Sequence, residues 1–276
     1  MIMDKFKRGF TLVEVALFLA VTAALFVGVT VGVQNSIYQQ RYNDSVQNFV
    51  EFLRRIYSGV ANVQSLGKGM SEQAIYGKLV TFGESKDLAG QDINGVGQRD
   101  AIFVYDVIGN IGDISSGDTL TALEGLNASV TEEKDGEIVP VGVVESYTPR
   151  WTAQIEPTDS YEPFKGMLLV VRHPRSGTIY TFHTNNLIEV NELIGEMNAN
   201  LSSGLEINNK NVFTSAGRSG INAWGFNSGE VDFCINPVGD EESRDRRDVR
   251  IKANARNASA IEIMPSDSEN NKCRRD

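Results

Sequence analysis

One carboxylate stands alone in an apolar run. From Phe10 to Val33 the 24 residues carry a single charge, Glu14. A carboxylate in a hydrocarbon layer costs ~2.5–3.5 kcal/mol on insertion scales, so those that persist there have a partner or a role. Glu14 lies four residues beyond Phe10, on the same face of a helix. A chain cut before Phe10 gains a positive amino terminus, and that group on a neighbouring chain would pair with Glu14 and offset its burial. The remaining chemistry-bearing residues are few. His173 and His183 flank the turn-like Pro174-Arg175-Ser176-Gly177. With the turn at Arg175-Ser176, His183 faces residue 168 and not His173, so the two imidazoles share no metal. No GxSxG, phosphate-loop or dinucleotide motif appears in a fitting context. The expectation is a non-enzyme with no catalytic residue, no metal and no cofactor. Asp240-Glu241-Glu242 reads as a solvated turn, since its spacing is not that of a calcium loop.

Two other groups have alternatives. Cys234 and Cys273 are the only cysteines. Outside the cytoplasm they form one bridge, closing a loop of about 40 residues and worth roughly 4 kcal/mol; otherwise they are separate thiols. The basic set Arg244, Arg246, Arg247, Arg250, Lys252 and Arg256 lies in a segment, 241–276, with nine basic and eight acidic side chains, within a chain of net charge -10. On a strand Arg250 and Lys252 point one way while Val249 and Ile251 alternate inward. Either the outward members, Arg246, Arg247, Arg250, Lys252 and Arg256, contact DNA backbone, or they form a charge-mixed edge strand protected from aggregation. The acidic total argues against a general nucleic-acid binder.

The elements that must position these residues follow from patterning. Lys5, Lys7 and Arg8 form a positive cluster directly before the apolar run. Positive charge stays in the cytoplasm, so the chain inserts with its N-terminus in and its C-terminal bulk outside. A helix of 24 residues covers ~36 Å against a hydrocarbon core of ~30 Å. An ordinary secretory peptide has its small residue after a shorter apolar segment; here Gly9 comes before it. Residues 34–65 read as an amphipathic continuation, with Val46, Phe49, Val50, Leu53, Ile56, Tyr57 and Val60 in one stripe. Gly67-Lys68-Gly69 breaks the helix. Beyond it, β-like runs dominate: 74–82, 101–107, 138–144, 151–155, 167–173, 178–184, 231–235, 249–253 and 260–264. Residues 186–201 have helical spacing, and 84–100 and 108–136 read as loops.

Lys7-Arg8-Gly9-Phe10-Thr11-Leu12-Val13-Glu14, followed by an unbroken apolar helix, resembles the leader junction of type IV pilins and pseudopilins. The resemblance covers roughly residues 5–35. It implies a leader 1–9 recognised by a prepilin peptidase at Lys7, Arg8, Gly9 and Phe10, cleavage after Gly9, and N-methylation of Phe10. It implies that Glu14 registers subunits during assembly. The many family members with a proline near the middle of this helix differ from this chain, where Gly28 and Gly32 supply the softness instead. Val231-Asp232-Phe233-Cys234 followed by Arg246-Arg247-Asp248-Val249-Arg250-Ile251 is similar to the end of FimT- and GspH-type minor pilins, some of which are thought to bind DNA through a C-terminal basic patch.

The resulting expectation is an α+β chain. Its long N-terminal helix, transmembrane over 10–33 and amphipathic over 34–65, packs on an antiparallel β-sheet domain over 66–276, the type IV pilin fold. It implies a structural subunit, minor pilin or pseudopilin, of a pilus (fimbrium) or of a secretion or competence filament. Its partners are other pilin subunits through their N-terminal helices, the prepilin peptidase, membrane lipid and the assembly machinery. It starts as a single-pass protein of the cytoplasmic (inner) membrane and moves to a surface pilus or a periplasmic, wall-spanning pseudopilus. Two rivals are a DNA-uptake or adhesive pilin that binds its target through the C-terminal domain, and a signal-anchored extracytoplasmic enzyme.

Overall fold

Helix α1 spans Leu12–Ala61 without a break. The computed structural model describes residues 11–62, 64–65, 73–83, 101–110, 131–134, 137–140, 144–151, 153–160, 162–173, 176–185, 227–237, 246–265 and 268–274. The leader, Gly67-Lys68-Gly69, the helical spacing of 186–201, and loop 84–100 lie outside them. By compactness the chain divides into residues 1–44 and residues 45–276, a boundary that falls inside α1.

In the first unit α1 exposes large apolar side chains: Leu12, Leu17, Phe18, Leu25, Phe26 and Val29 are all more than 60 % bare. This helix is long and apolar enough to cross a membrane. Its two mid-run hydroxyls are satisfied within the helix, Thr22 Oγ1 donating to Phe18 O and Thr30 Oγ1 to Phe26 O, each at 2.7 Å. Back-bonding of this kind leaves neither hydroxyl in need of water along the apolar surface.

In the second unit the same helix is amphipathic. Val46, Phe49, Val50, Leu53, Ile56, Tyr57 and Val60 are at most 4 % exposed, joined by Phe52. Burying each such side chain contributes roughly 1.5–3 kcal/mol. Strands β1 (Gln64–Ser65), β2 (Gln73–Phe82), β3 (Ile102–Asn110), β4 (Thr131–Lys134), β5 (Glu137–Pro140), β6 (Glu145–Tyr147), β7 (Gln154–Glu156), β8 (Gly166–Arg172), β9 (Ile179–Thr184), β10 (Val231–Asn236), β11 (Arg247–Ile251) and β12 (Ile261–Met264) follow. One sheet runs β6-β3-β2-β8-β9 with β1 paired to the start of β2; a second runs β12-β11-β10-β7; β4 and β5 form a separate hairpin. The described pairings are antiparallel. The fold is therefore α+β. An aromatic cluster joins helix and sheets: Phe233 of β10 lies 5.5 Å from Phe49, 5.2 Å from Phe82 and 4.9 Å from Phe164. Tyr57 Oη and Thr181 Oγ1 are 2.8 Å apart, and Thr181 Oγ1 donates to Ala255 O, tying α1 to β9 and to the loop after β11. Burial pushes the Tyr57 hydroxyl up to about 12.

The amphipathic helix expected over 34–65 ends at Ala61, and Gln64–Ser65 pair with β2 as β1 instead of continuing it. The β runs appear close to their expected places, with five differences. β3 runs on to Asn110, and β4 occupies part of 108–136, which had read as a loop. Of the run 138–144 only 138–140 lie in a strand, β5; Val144 lies outside β6, which begins at Glu145, and 141–143 fall outside the described residues. Residues 151–155 do not begin a strand, because Trp151 holds φ of 60°, a left-handed conformation; β7 starts at Gln154. The run expected at 249–253 lies two residues earlier, ending at Ile251 ahead of a turn where Asn254 also takes positive φ.

Candidate functional site

At its N-terminus α1 carries a reciprocal cap. Thr11 Oγ1 accepts from Glu14 N at 3.3 Å, and Glu14 Oε2 accepts from Thr11 N at 2.9 Å and from Thr11 Oγ1 at 3.0 Å. This is the capping box, Thr-x-x-Glu, which satisfies two backbone donors otherwise left open. The spacing was legible in the sequence, yet Glu14 had been read only as awaiting a neighbour. Its carboxylate has a partner in its own chain. Lys7, Arg8, Gly9 and Phe10 lie outside the described residues.

A second feature escaped the sequence reading. Ala16, Ala20, Ala24, Gly28, Gly32 and Ser36 recur at four-residue steps along the exposed half of α1. A Cβ added at Gly28 or Gly32 meets nothing within 4 Å. Small residues at this spacing let a second helix backbone approach closely in a bilayer, and favour a right-handed crossing.

The hairpin holds its expected register. Leu168 of β8 lies opposite His183 of β9. The turn closes with His173 N donating to Thr178 O at 2.8 Å and Gly177 N to His173 O at 2.9 Å, Gly177 taking φ of 73°. His173 is buried, its Nδ1 accepting from Ser176 N at 3.2 Å. Burial pushes the His183 imidazole below its ordinary value. Among the described residues no group of three His, Cys, Asp or Glu side chains is arranged to hold a metal.

The basic set around β11 is where the structure corrects the sequence reading; Arg244, like Asp240-Glu241-Glu242, lies outside the described residues. Arg246 is 1 % exposed and bonds Glu156 Oε2 at 3.0 Å; Asn236 Nδ2 donates to Glu156 Oε1 at 2.9 Å. Arg250 is 8 % exposed, bonding Asp232 at 2.5 Å and Asp248 at 2.8 Å, and donating to Asn270 O at 2.9 Å. Neither faces outward, so neither offers its guanidinium to a DNA backbone. The alternation was right, since Val249 and Ile251 do turn into the core. The other face is not solvent, because the segment 268–274 covers it. Lys252 is exposed and pairs with Glu262; Arg247 is half-buried and Arg256 exposed. Cys234 and Cys273 are joined as a disulfide and wholly buried.

No protein-family model, curated protein or solved structure matches the chain.

Proposed function

We propose that this chain is a filament subunit of the type IV pilin class, held in the membrane by α1 before it assembles. The carrying observation is the change of surface along one helix. From Leu12 to Tyr38 the large apolar side chains are exposed, while from Val46 to Val60 the same helix is core. The exposed half needs an apolar environment that its own chain does not supply, first lipid and then other copies of the same helix. Lys5, Lys7 and Arg8 before this run favour a cytoplasmic N-terminus with the domain outside. The small-residue row from Ala16 to Ser36 is a suitable contact for a neighbouring helix.

Processing follows from residues 7–14. A prepilin peptidase cuts after Gly9 and methylates Phe10. The new amino terminus then sits one residue before the Thr11–Glu14 cap. In the isolated subunit Glu14 caps its own helix; in the filament its carboxylate neutralises the terminus of a neighbour. The domain supplies the exposed surface of a pilus or pseudopilus. Mass spectrometry of the protein from its native membrane tests the reading. The expected N-terminal peptide starts at N-methylated Phe10; an intact Met1 in cells that contain the peptidase overturns it.

A further inference from the structure

The β10–β11 ladder has two faces. Val231, Phe233, Val249 and Ile251 fill the core, and Asp232, Cys234, Asp248 and Arg250 occupy the opposite face. The last described segment of the chain, 268–274, lies over the latter. Cys273 bonds Cys234. Asn271 Nδ2 donates to Arg246 O at 3.0 Å and to Pro265 O at 3.1 Å. Lys272 Nζ reaches Glu230 at 2.5 Å and Asp232 at 2.9 Å.

Among the described residues the charges beneath this segment do not balance: three carboxylates, Glu230, Asp232 and Asp248, meet two cations, Arg250 and Lys272. The Asp248 side chain is 0 % exposed; Oδ2 accepts from Arg250, and Oδ1 has no hydrogen-bond partner. A buried carboxylate with an open oxygen beside a second carboxylate is costly when ionised, and a proton relieves both faults at once.

We propose that segment 268–274 is an acid-tightened latch, in which one proton taken up by the Asp232–Asp248 pair balances the cluster and fastens the C-terminal segment onto the β10–β11 ladder. This does not depend on the filament reading. The groups around the pair are Arg250 on β11, Arg246 just before β11, Glu230 just before β10, Lys272 on the latch, Glu262 opposite Arg250 on β12, and His183 on β9 near Asp232. Arg246 is held by Glu156 and Glu262 by Lys252, so neither corrects the imbalance. Burial and then Asp232 push the Asp248 carboxyl up to about 6, against the pull of Arg250 and of the Lys272 backbone N–H on the segment itself. Its folded value thus lies above the unfolded one of 3.8. The native state holds the extra proton, and the stability it confers is complete below the unfolded value and lost as pH rises through about 6. His183 acts in the opposite sense. Burial disfavours its charged form, against the pull of Asp232 and of the Gly229 backbone, and its contribution is lost as pH falls through its lowered value. The informative quantity is therefore the difference between wild type and an Asp248 variant.

The full-length chain in detergent micelles is unfolded by heat at about pH 3.5, below the unfolded value, and at about pH 7.5. Asp248→Asn carries no charge at this position at either pH, so relative to wild type its Tm at the higher pH should rise by about 5 °C, with little change at the lower. Equal differences at the two pH values overturn the latch. If the variant does not fold, carbon-13 titration of the wild-type Asp248 carboxyl decides: a midpoint near 6 supports the proposal and one below about 4.5 overturns it. A wild-type Tm at the higher pH that millimolar calcium raises to the acid value also overturns it, because the missing charge is then a metal and not a proton.

Discussion

Arg246 and Glu156 show how much a pair of buried charges depends on being complete. Each side chain is 1 % exposed, and Asn236 occupies the second Glu156 oxygen. Removing one partner leaves a buried charge with nothing opposite, which costs about 3–5 kcal/mol. Arg246→Ala should therefore lose about that much in urea unfolding. The double replacement Glu156→Gln with Arg246→Met should recover most of it, since neither charge remains to be solvated. A single-variant loss under about 1 kcal/mol would mean that the pair is hydrated as a surface pair is. At Glu14 the same reasoning has a different answer. Thr11 gives the carboxylate two hydrogen bonds at the helix end, so its presence in an apolar run has a local explanation even before a neighbour arrives.

At the scale of elements, α1 is two helices in one. Leu12–Tyr38 has no stripe to bury against its own chain, while Val46–Val60 has one. The row Ala16, Ala20, Ala24, Gly28, Gly32, Ser36 makes the first half suited to close helix contact. Gly28→Leu fills that row without touching the domain fold, because nothing lies within 4 Å of an added Cβ. Filament yield should fall severalfold, while the amount of subunit in the membrane and the Tm of the domain stay unchanged. Normal filaments from this variant would show that the row is not a contact.

At the scale of the molecule, the chain's C-terminal end is tied back to β10 by the Cys234–Cys273 disulfide, across a sequence separation of 39. Both residues are 0 % exposed, so the bond forms before or during closure of the latch. Replacing both with serine should cost roughly 2–4 kcal/mol in chemical denaturation, chiefly by freeing the unfolded chain. A loss below about 1 kcal/mol would mean that the Lys272 ion pairs and the hydrogen bond from Arg250 to Asn270 O hold the segment without the disulfide. The bond also suits a domain that matures in an oxidising compartment.

The sequence by itself determined the elements whose period is local. The apolar run, the stripe Val46–Val60, the hairpin around 174–177 and the register that sets His183 against Leu168 were all legible, because spacing along one chain fixes which side chains share a face. The Thr11–Glu14 cap and the small-residue row were equally local and were simply not read. What only the tertiary structure decided is the fate of polar side chains on the second face of β10 and β11. Alternation told that Arg250 turns away from the core, but not that a segment more than a dozen residues further on would cover it. Whether a charge meets water or a buried carboxylate depends on contacts distant in sequence, and a two-residue period carries no information about those. For the same reason Arg246 and Arg250, which read as a surface for a phosphate backbone, became buried partners of Glu156 and of Asp232 and Asp248.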